Sequence, residues 1–189
     1  MPSTVDRVLP WRRSSPPPAE ELAPLLSAYR DRHGRSARTE LITRAYLTAS
    51  AAHDGQIRKT GEAYIHHPIA VARIVAHLGL DDVTIAAALL HDAVEDTALT
   101  IPEVESEFGP EVAAIVDGVT KLDRIHFDTK EQQQAATVRK MIVAMSKDLR
   151  VLIIKLADRL HNMRTIAGMP HFKQERTARE TLATYQEML

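Results

Sequence analysis

The chain has 189 residues and a net charge of -1, with 44% hydrophobic and 26% charged residues, which is the usual composition of a single globular domain. No excess of basic residues is present to attract a phosphate backbone, so nucleic acid is excluded as the expected main partner. The absence of cysteine excludes a disulfide scaffold, a thiolate zinc site and a cysteine nucleophile.

Residues 1–18 are rich in proline and serine, and we expect them to form a disordered or loosely docked segment ahead of one domain over 19–189. This segment has no apolar stretch of the kind found in secretory signals. No part of the sequence contains the roughly 18 consecutive apolar residues that a membrane span requires. These features predict a cytoplasmic protein with no membrane partner.

The rest of the sequence predicts an all-α fold of about eight or nine helices. Alanine is abundant, with 26 residues, whereas there are only 7 glycines and 4% aromatic residues, a composition that favours helices. Asp81 or Asp82, Thr100 with Glu103, and Asp148 are candidate N-terminal caps. Apolar spacing predicts helices over about 22–29, 41–52, 68–78, 83–95, 101–108, 110–120, a segment ending near 145, 149–167 and 172–189.

The most informative segment is 84–96. Its first part, Ile85–Leu90, is apolar on every side and predicts a buried helix. The four polar residues that follow fit within an arc of about 140°: His91, Asp92, Glu95 and Asp96. Carboxylates at a helix C-terminus are disfavoured by the helix dipole, and burying them unpaired costs more still. A bound cation removes both penalties; the alternative is a helix that surfaces at Glu95 and leaves its acids in water.

Two further segments carry polar residues at suggestive spacing. In 155–165, Asp158, Asn162 and Thr165 share one helical face, whereas His161 lies about 60° from the Asp158 direction and is not required as a ligand. The alternative is an ordinary amphipathic helix with a solvated polar face. In 58–68, a basic pair lies in a glycine-containing loop, and two histidines follow at a helix start. The alternative is a surface loop.

Together and in this order, four stretches resemble the hydrolase domain of the RelA/SpoT homologue family, a branch of the HD phosphohydrolases: RKTGEAYIHHPIAVA, LLHDAVEDT, FGPEVAAIVDGVTKL and VLIIKLADRLHNMRT. The resemblance runs from about residue 20 to the C-terminus and implies an HD-domain helical bundle. It also implies hydrolysis of the alarmones ppGpp and pppGpp with Mn2+ as cofactor. The 3′-diphosphate would leave as pyrophosphate, and GDP or GTP would remain.

The resemblance also implies the residues of the site. It places metal ligands at His67, His91, Asp92 and Asp158, and this set of imidazole and carboxylate donors suits Mn2+. The catalytic acidic pair falls on Glu95 and Asp96, which would orient a water and take its proton. The implied substrate contacts are Arg58 stacked on guanine, Lys59 beside base and phosphate, Asn162 and Thr165 at the nucleoside, Met169 against the base, and Lys121 as a further phosphate candidate.

Some features depart from the family pattern or leave alternatives open. Ala63 stands where many relatives have proline, and His66 precedes His67 where an apolar residue is more usual. The same scaffold would also serve a phosphohydrolase acting on NADPH or another nucleotide, or a non-catalytic nucleotide-sensing module of a longer protein. The chain is interpreted either as a domain of a bifunctional protein with a covalently linked synthetase domain or as a stand-alone alarmone hydrolase.

Overall fold

The computed structural model describes residues 20–58, 60–123, 148–168 and 171–186. Within these ranges the protein is helical, with eight α-helices and one short 3-10 turn at Ile166–Gly168. The predicted N-terminal segment and the predicted helix ending near residue 145 lie outside the described residues. The helices are α1 (Ala23–His33), α2 (Glu40–Ala52), α3 (His66–His77), α4 (Asp82–Asp96), α5 (Ile101–Phe108), α6 (Pro110–Asp123), α7 (Leu149–Arg164) and α8 (His171–Gln186).

The predicted helix caps agree with the structure. A side-chain oxygen of Asp81 accepts a hydrogen bond from the backbone N–H of Thr84 at 2.9 Å, and α4 begins at Asp82. Asp148 caps α7 in the same way by accepting from the backbone N–H of Arg150 at 2.9 Å. These bonds satisfy N–H groups that the first turn of a helix leaves without a partner. The sequence therefore marks the starts of the two helices that supply most of the site.

Helix α4 is the central element of the bundle. Every side chain from Ile85 to Leu90 is fully buried, which confirms the prediction of a helix that is apolar all round. Helices α2, α3, α6 and α7 pack against it. Burial of each large aliphatic side chain here contributes about 1.5–3 kcal/mol relative to exposure. The core thus holds α4 firmly just before its polar C-terminal turn.

The segment between α2 and α3 folds back on itself. Ile57 and Ala63 form an isolated antiparallel bridge, and the backbone N–H of Arg58 donates to the carbonyl of Glu62 at 2.8 Å. Gly61 lies at the turn with φ +87°, a conformation that glycine adopts without steric cost. The bridge fixes the backbone on either side of the turn. It therefore fixes the position of the Arg58 backbone relative to the start of α3.

Helices α6 and α7 approach closely at Gly118. A Cβ atom at this position would lie 2.7 Å from Cγ2 of Val151, which is buried in α7. Glycine in the interior of a helix is unfavourable by itself, so close packing accounts for its presence.

Among the helices that the structure describes, none has the length and apolar character needed to cross a membrane.

Candidate metal centre

Three helices supply the polar side chains that meet beside the C-terminal end of α4. His67 lies in the first turn of α3, His91 and Asp92 lie near the end of α4, and Asp158 lies in α7. Because α3 and α7 both pack against α4 and against each other, residues 67, 91 and 158 come together despite their separation in sequence. The structure therefore brings together all four residues that the resemblance implies as metal ligands.

The distances between these four side chains are short. His67 Nε2 lies 3.3 Å from Asp92 Oδ2 and 3.1 Å from Asp158 Oδ1. His91 Nε2 lies 2.9 Å from Asp92 Oδ1. One ligand atom each from His67, His91 and Asp158 can be chosen so that all three lie within 4.8 Å of one another. This separation suits atoms that surround one ion.

One buried imidazole nitrogen is suited to bind a metal ion at this position. The side chain of His91 is 1% exposed, and its Nε2 has no hydrogen-bond partner among the described residues, although Asp92 Oδ1 lies nearby. A buried polar atom without a partner is costly, and native proteins rarely leave one. A metal ion bound through Nε2 would satisfy it. The residues present therefore fit a divalent cation held by imidazole and carboxylate donors.

Both carboxylates are charged although they are largely buried. Burial alone would raise the pKa of Asp92, but the His91 charge and a hydrogen bond from His67 outweigh it and hold the pKa well below the usual range. The pKa of Asp158 is lowered in the same way: burial opposes ionisation, and the hydrogen bond from His67 and the Lys155 charge overcome it. Burial also opposes the charging of His91, yet the two carboxylates raise its pKa to about 9. The cluster is an environment that favours a cation.

The outer nitrogens of the two ligand candidates are held by different partners. His91 Nδ1 lies 2.7 Å from the carbonyl oxygen of Ala88, one turn earlier in α4. His67 Nδ1 lies 2.7 Å from Nδ1 of His161 in α7. Burial, followed by the charges of His67 and Arg58, lowers the pKa of His161 to about 4. Both imidazoles thus direct Nε2 toward the carboxylates.

His67, Asp92 and Asp158 line a solvent-open cavity of about 200 Å³, and His91 is buried next to Asp92. The rim of the cavity includes Glu95 and Asp96, which are exposed at the end of α4. The hydroxyl of Tyr64 lies 2.8 Å from Asp96 Oδ2 and 3.1 Å from Asp92 Oδ2. The complete lining is Arg58, Tyr64, His67, Asp92, Glu95, Asp96, Lys155, Asp158 and Asn162.

A chain of hydrogen bonds joins the loop before α3 to Asp158. An Arg58 guanidinium nitrogen donates to Asn162 Oδ1 at 2.8 Å, and the amide nitrogen of Asn162 donates to Asp158 Oδ1 at 2.7 Å. Lys155 donates to the other carboxylate oxygen, Oδ2, at 3.2 Å. Since the bond to Asn162 lies in the guanidinium plane, it leaves the flat faces of Arg58 free for stacking.

Some predicted substrate contacts do not reach this cavity. The hydroxyl of Thr165 donates within its own helix end, to the carbonyls of His161 and Asn162 at 3.0 and 3.3 Å. Lys121 is exposed on α6 and pairs with Asp117 one turn earlier. The extra histidine, His66, is exposed and is not among the lining residues. Lys59 and Met169 lie outside the described residues, so their predicted roles stay predictions.

Sequence reasoning missed two residues that line the cavity, Tyr64 and Lys155, and it considered His161 only as a ligand, whereas His161 contacts His67. Lys155 and His161 are three positions before and after Asp158, a spacing that places side chains on neighbouring parts of a helix surface. That spacing was a usable signal for both residues. Tyr64 reaches Asp96 only because the folded loop aims it there, and no spacing rule indicates this.

The chain is similar in sequence to a known protein family and to several curated proteins. Residues 45–188 match the family described as HD domain. The chain is 56% identical to a GTP pyrophosphokinase of Streptomyces coelicolor over 144 residues, 76% of this chain and 17% of that protein. It is 52% identical to the bifunctional (p)ppGpp synthase/hydrolase SpoT of Escherichia coli over 147 residues, 78% of this chain and 21% of the relative. The chain spans about one fifth of the length of these relatives.

A solved structure is similar over most of its length. It belongs to a metazoan ortholog of SpoT that is described as hydrolysing ppGpp and as acting in starvation responses. The TM-score is 0.62 at 29% sequence identity, and the match covers 80% of this chain and 85% of the other.

Proposed function

Since this chain belongs to the HD domain family, we propose that it is a metal-dependent phosphohydrolase that converts ppGpp and pppGpp to GDP and GTP. The observation that carries the proposal is the convergence of two imidazoles and two carboxylates from three helices beside the Glu95–Asp96 pair. The names of relatives support it, because they include a SpoT synthase/hydrolase and a guanosine-3′,5′-bis(diphosphate) 3′-pyrophosphohydrolase. The proposal includes the cytoplasmic location predicted from the sequence.

Mn2+ is the cofactor that we propose, held by His67, His91, Asp92 and Asp158. Two nitrogen and two oxygen donors without sulfur suit a borderline-to-hard divalent ion. The chemistry that such an ion supplies when bound is polarisation of a phosphoryl oxygen and a more acidic water. The cavity is lined by four carboxylates and two cationic side chains, Arg58 and Lys155, so an added positive charge would reduce repulsion of a substrate diphosphate. A cation therefore serves substrate binding as well as chemistry.

Glu95 and Asp96 are the proposed general bases. Both line the cavity and are exposed to solvent, so a carboxylate oxygen of either can accept a proton from a water. The hydroxyl of Tyr64 has one hydrogen and two carboxylate neighbours, so it donates to Asp96 or to Asp92 at any one time. Donation to Asp96 holds its Oδ2 and leaves Oδ1 available to accept a proton.

The reaction is a displacement at the phosphorus bonded to the 3′ oxygen of the ribose. The water oxygen forms a bond to this phosphorus while the bond from phosphorus to the 3′ oxygen breaks. The water proton passes to the acidic pair, the 3′ oxygen takes a proton from solvent and leaves as a hydroxyl, and the acidic pair then returns its proton to solvent. One water is consumed, and pyrophosphate and a nucleoside 5′-diphosphate or 5′-triphosphate are formed.

Arg58 and Asn162 are the proposed nucleoside contacts. Both line the cavity, and their mutual hydrogen bond holds a planar guanidinium there, a group suited to stacking on a base. The cation of Lys155, which also lines the cavity, is placed to offset negative charge on a bound diphosphate. A covalently linked synthetase domain in the full-length protein remains part of the proposal, since the matches cover only 17% and 21% of these relatives and both are named for synthesis.

The proposal is tested by pyrophosphate release from ppGpp with and without Mn2+, with NADPH and deoxynucleoside triphosphates as competing substrates. We expect Mn2+-dependent release and a clear preference for ppGpp. A preference for NADPH would overturn the substrate assignment. The double variant Glu95→Gln, Asp96→Asn retains shape and removes both bases, so hydrolysis that survives in it would overturn their role. Binding of ppGpp without turnover in the wild type would favour the sensing module instead.

A further inference from the structure

We propose that His161 is a positioning residue that fixes the ring and the tautomer of the metal ligand His67; this inference rests on the proposed metal centre. The Nδ1 atoms of the two imidazoles lie 2.7 Å apart, and their ring centroids lie 4.9 Å apart. His161 does not belong to the described residues that line the cavity. It contacts Nδ1 of His67, whereas Nε2 of the same ring faces the two carboxylates that line the cavity.

The arrangement of protons follows from the geometry. His67 Nε2 faces both carboxylates, at 3.3 and 3.1 Å, so Nε2 is the atom available to an ion. A neutral imidazole that binds an ion through Nε2 carries its hydrogen on Nδ1. That N–H points at Nδ1 of His161, which must accept it and keep its own hydrogen on Nε2. One hydrogen bond thus selects the tautomer of both rings.

The other ligand candidate, His91, has a backbone partner at its outer nitrogen, where His67 has the side chain of His161. In His91 the outer Nδ1 is directed at the carbonyl of Ala88 in its own helix, so α4 alone orients that ring. His67 lies in the first turn of α3, and its outer nitrogen is met by a side chain of another helix instead. Groups that hold the outer nitrogen of a ligand histidine typically contribute about 10–100-fold to metal affinity.

This contact gives α7 two roles at the metal centre. Asp158 supplies a ligand directly, and His161, one turn later, orients a ligand from α3. Since one rigid helix carries both groups, they are set in a fixed relation to each other. We therefore expect loss of the His161 acceptor to weaken binding of the ion without removing any atom from the cavity.

The experiment compares three variants of the full chain after removal of metal. His161→Leu removes the acceptor. His161→Asn can place an amide oxygen where Nδ1 lies, and His161→Gln reaches toward the position of Nε2 instead. The dissociation constant for Mn2+ alone is measured by titration calorimetry, and thermal unfolding of each metal-free variant reports stability separately.

We expect His161→Leu to raise the Mn2+ dissociation constant about 10–100-fold, and His161→Asn to restore it to within a few-fold of wild type. The His161→Gln variant should bind Mn2+ more weakly than the His161→Asn variant, even if the two metal-free variants unfold at the same temperature. Wild-type affinity in His161→Leu, or equal affinities in the Asn and Gln variants, would overturn the inference. If the Leu variant does not fold, the Asn and Gln comparison decides alone. Failure of the wild type to bind Mn2+ would instead overturn the proposed metal centre.

Discussion

Replacement of Gly118 by alanine tests whether close packing of α6 on α7 sets the position of the helix that carries Asp158. Alanine is favoured over glycine within a helix by about 0.5–1 kcal/mol, so propensity alone predicts stabilisation. The new Cβ, however, would lie 2.7 Å from Cγ2 and 3.4 Å from Cγ1 of Val151. The shorter contact is about 1 Å closer than ordinary carbon–carbon contact.

Val151 has little freedom to move away. It is 4% exposed, and a valine in a helix has one strongly preferred rotamer. The two helices must separate or strain, which costs about 1–3 kcal/mol for an overpacked core. This cost exceeds the propensity gain, so we expect net destabilisation of about 1 kcal/mol. Urea unfolding should show a lower midpoint with an unchanged slope.

A double-mutant cycle separates packing from propensity. Val151→Ala alone leaves a cavity and destabilises the protein, but combined with Gly118→Ala the new methyl group occupies part of that space. We expect the double variant to be more stable than the sum of the single effects predicts, by about 1 kcal/mol or more. Stabilisation by Gly118→Ala alone, or simple additivity in the cycle, would refute the reasoning.

The remaining predictions concern the site and one helix cap. Arg58→Ala should raise KM about tenfold and leave kcat nearly unchanged, because stacking acts equally in ground and transition states; steady-state kinetics with ppGpp measure this, and a fall in kcat at constant KM would contradict it. Tyr64→Phe should lower kcat about tenfold by releasing Asp96; unchanged initial rates would exclude that role. Asp148→Asn keeps the α7 cap but loses the charge pair with Arg150. The hydrogen bond from the Arg150 side chain lowers the pKa of Asp148. The pair therefore stabilises the fold by about 0.5 kcal/mol above about pH 4, and this stabilisation is lost as the pH falls further. Urea unfolding should show a constant difference between variant and wild type from pH 7 to about 4 and a smaller difference at lower pH; a difference that does not shrink below about pH 4 would contradict this.

The sequence was sufficient for the fold because its local signals agree with one another. The all-α HD-domain bundle is confirmed, and the starts of α4 and α7 follow the predicted caps. In α4, the run Ile85–Leu90 is apolar on every side, and only a central helix can bury such a surface. The end of α7 differs, since helical geometry stops at Arg164 and a 3-10 turn covers part of the predicted length.

The site could be predicted in part. Spacing within one helix indicates that Asp158 and Asn162 share a face, and their hydrogen bond agrees with this. The convergence of residues 67, 91 and 158 depends on how three helices pack, so only the resemblance could anticipate it. Thr165 illustrates the limit of spacing: its Cβ direction follows from the helix, but its hydroxyl turns to the backbone of its own helix end. Side-chain torsions and loop geometry, as at Tyr64, are set by tertiary contacts.

The polar end of α4 and its apolar middle are parts of one arrangement. Carboxylates at a helix C-terminus oppose the dipole by a few tenths of a kcal/mol each, and partly buried charges of the same sign repel one another. These penalties are small beside the burial of Ile85–Leu90, and at Asp92 burial also opposes the charge, but His91 and His67 outweigh it and hold the pKa of the carboxyl below its usual range. A cation bound there reverses the sign of the local interactions and joins α3, α4 and α7 through their side chains. The strength of ion binding is therefore set by how rigidly the apolar packing holds these three helices, because any movement between them separates the donor atoms.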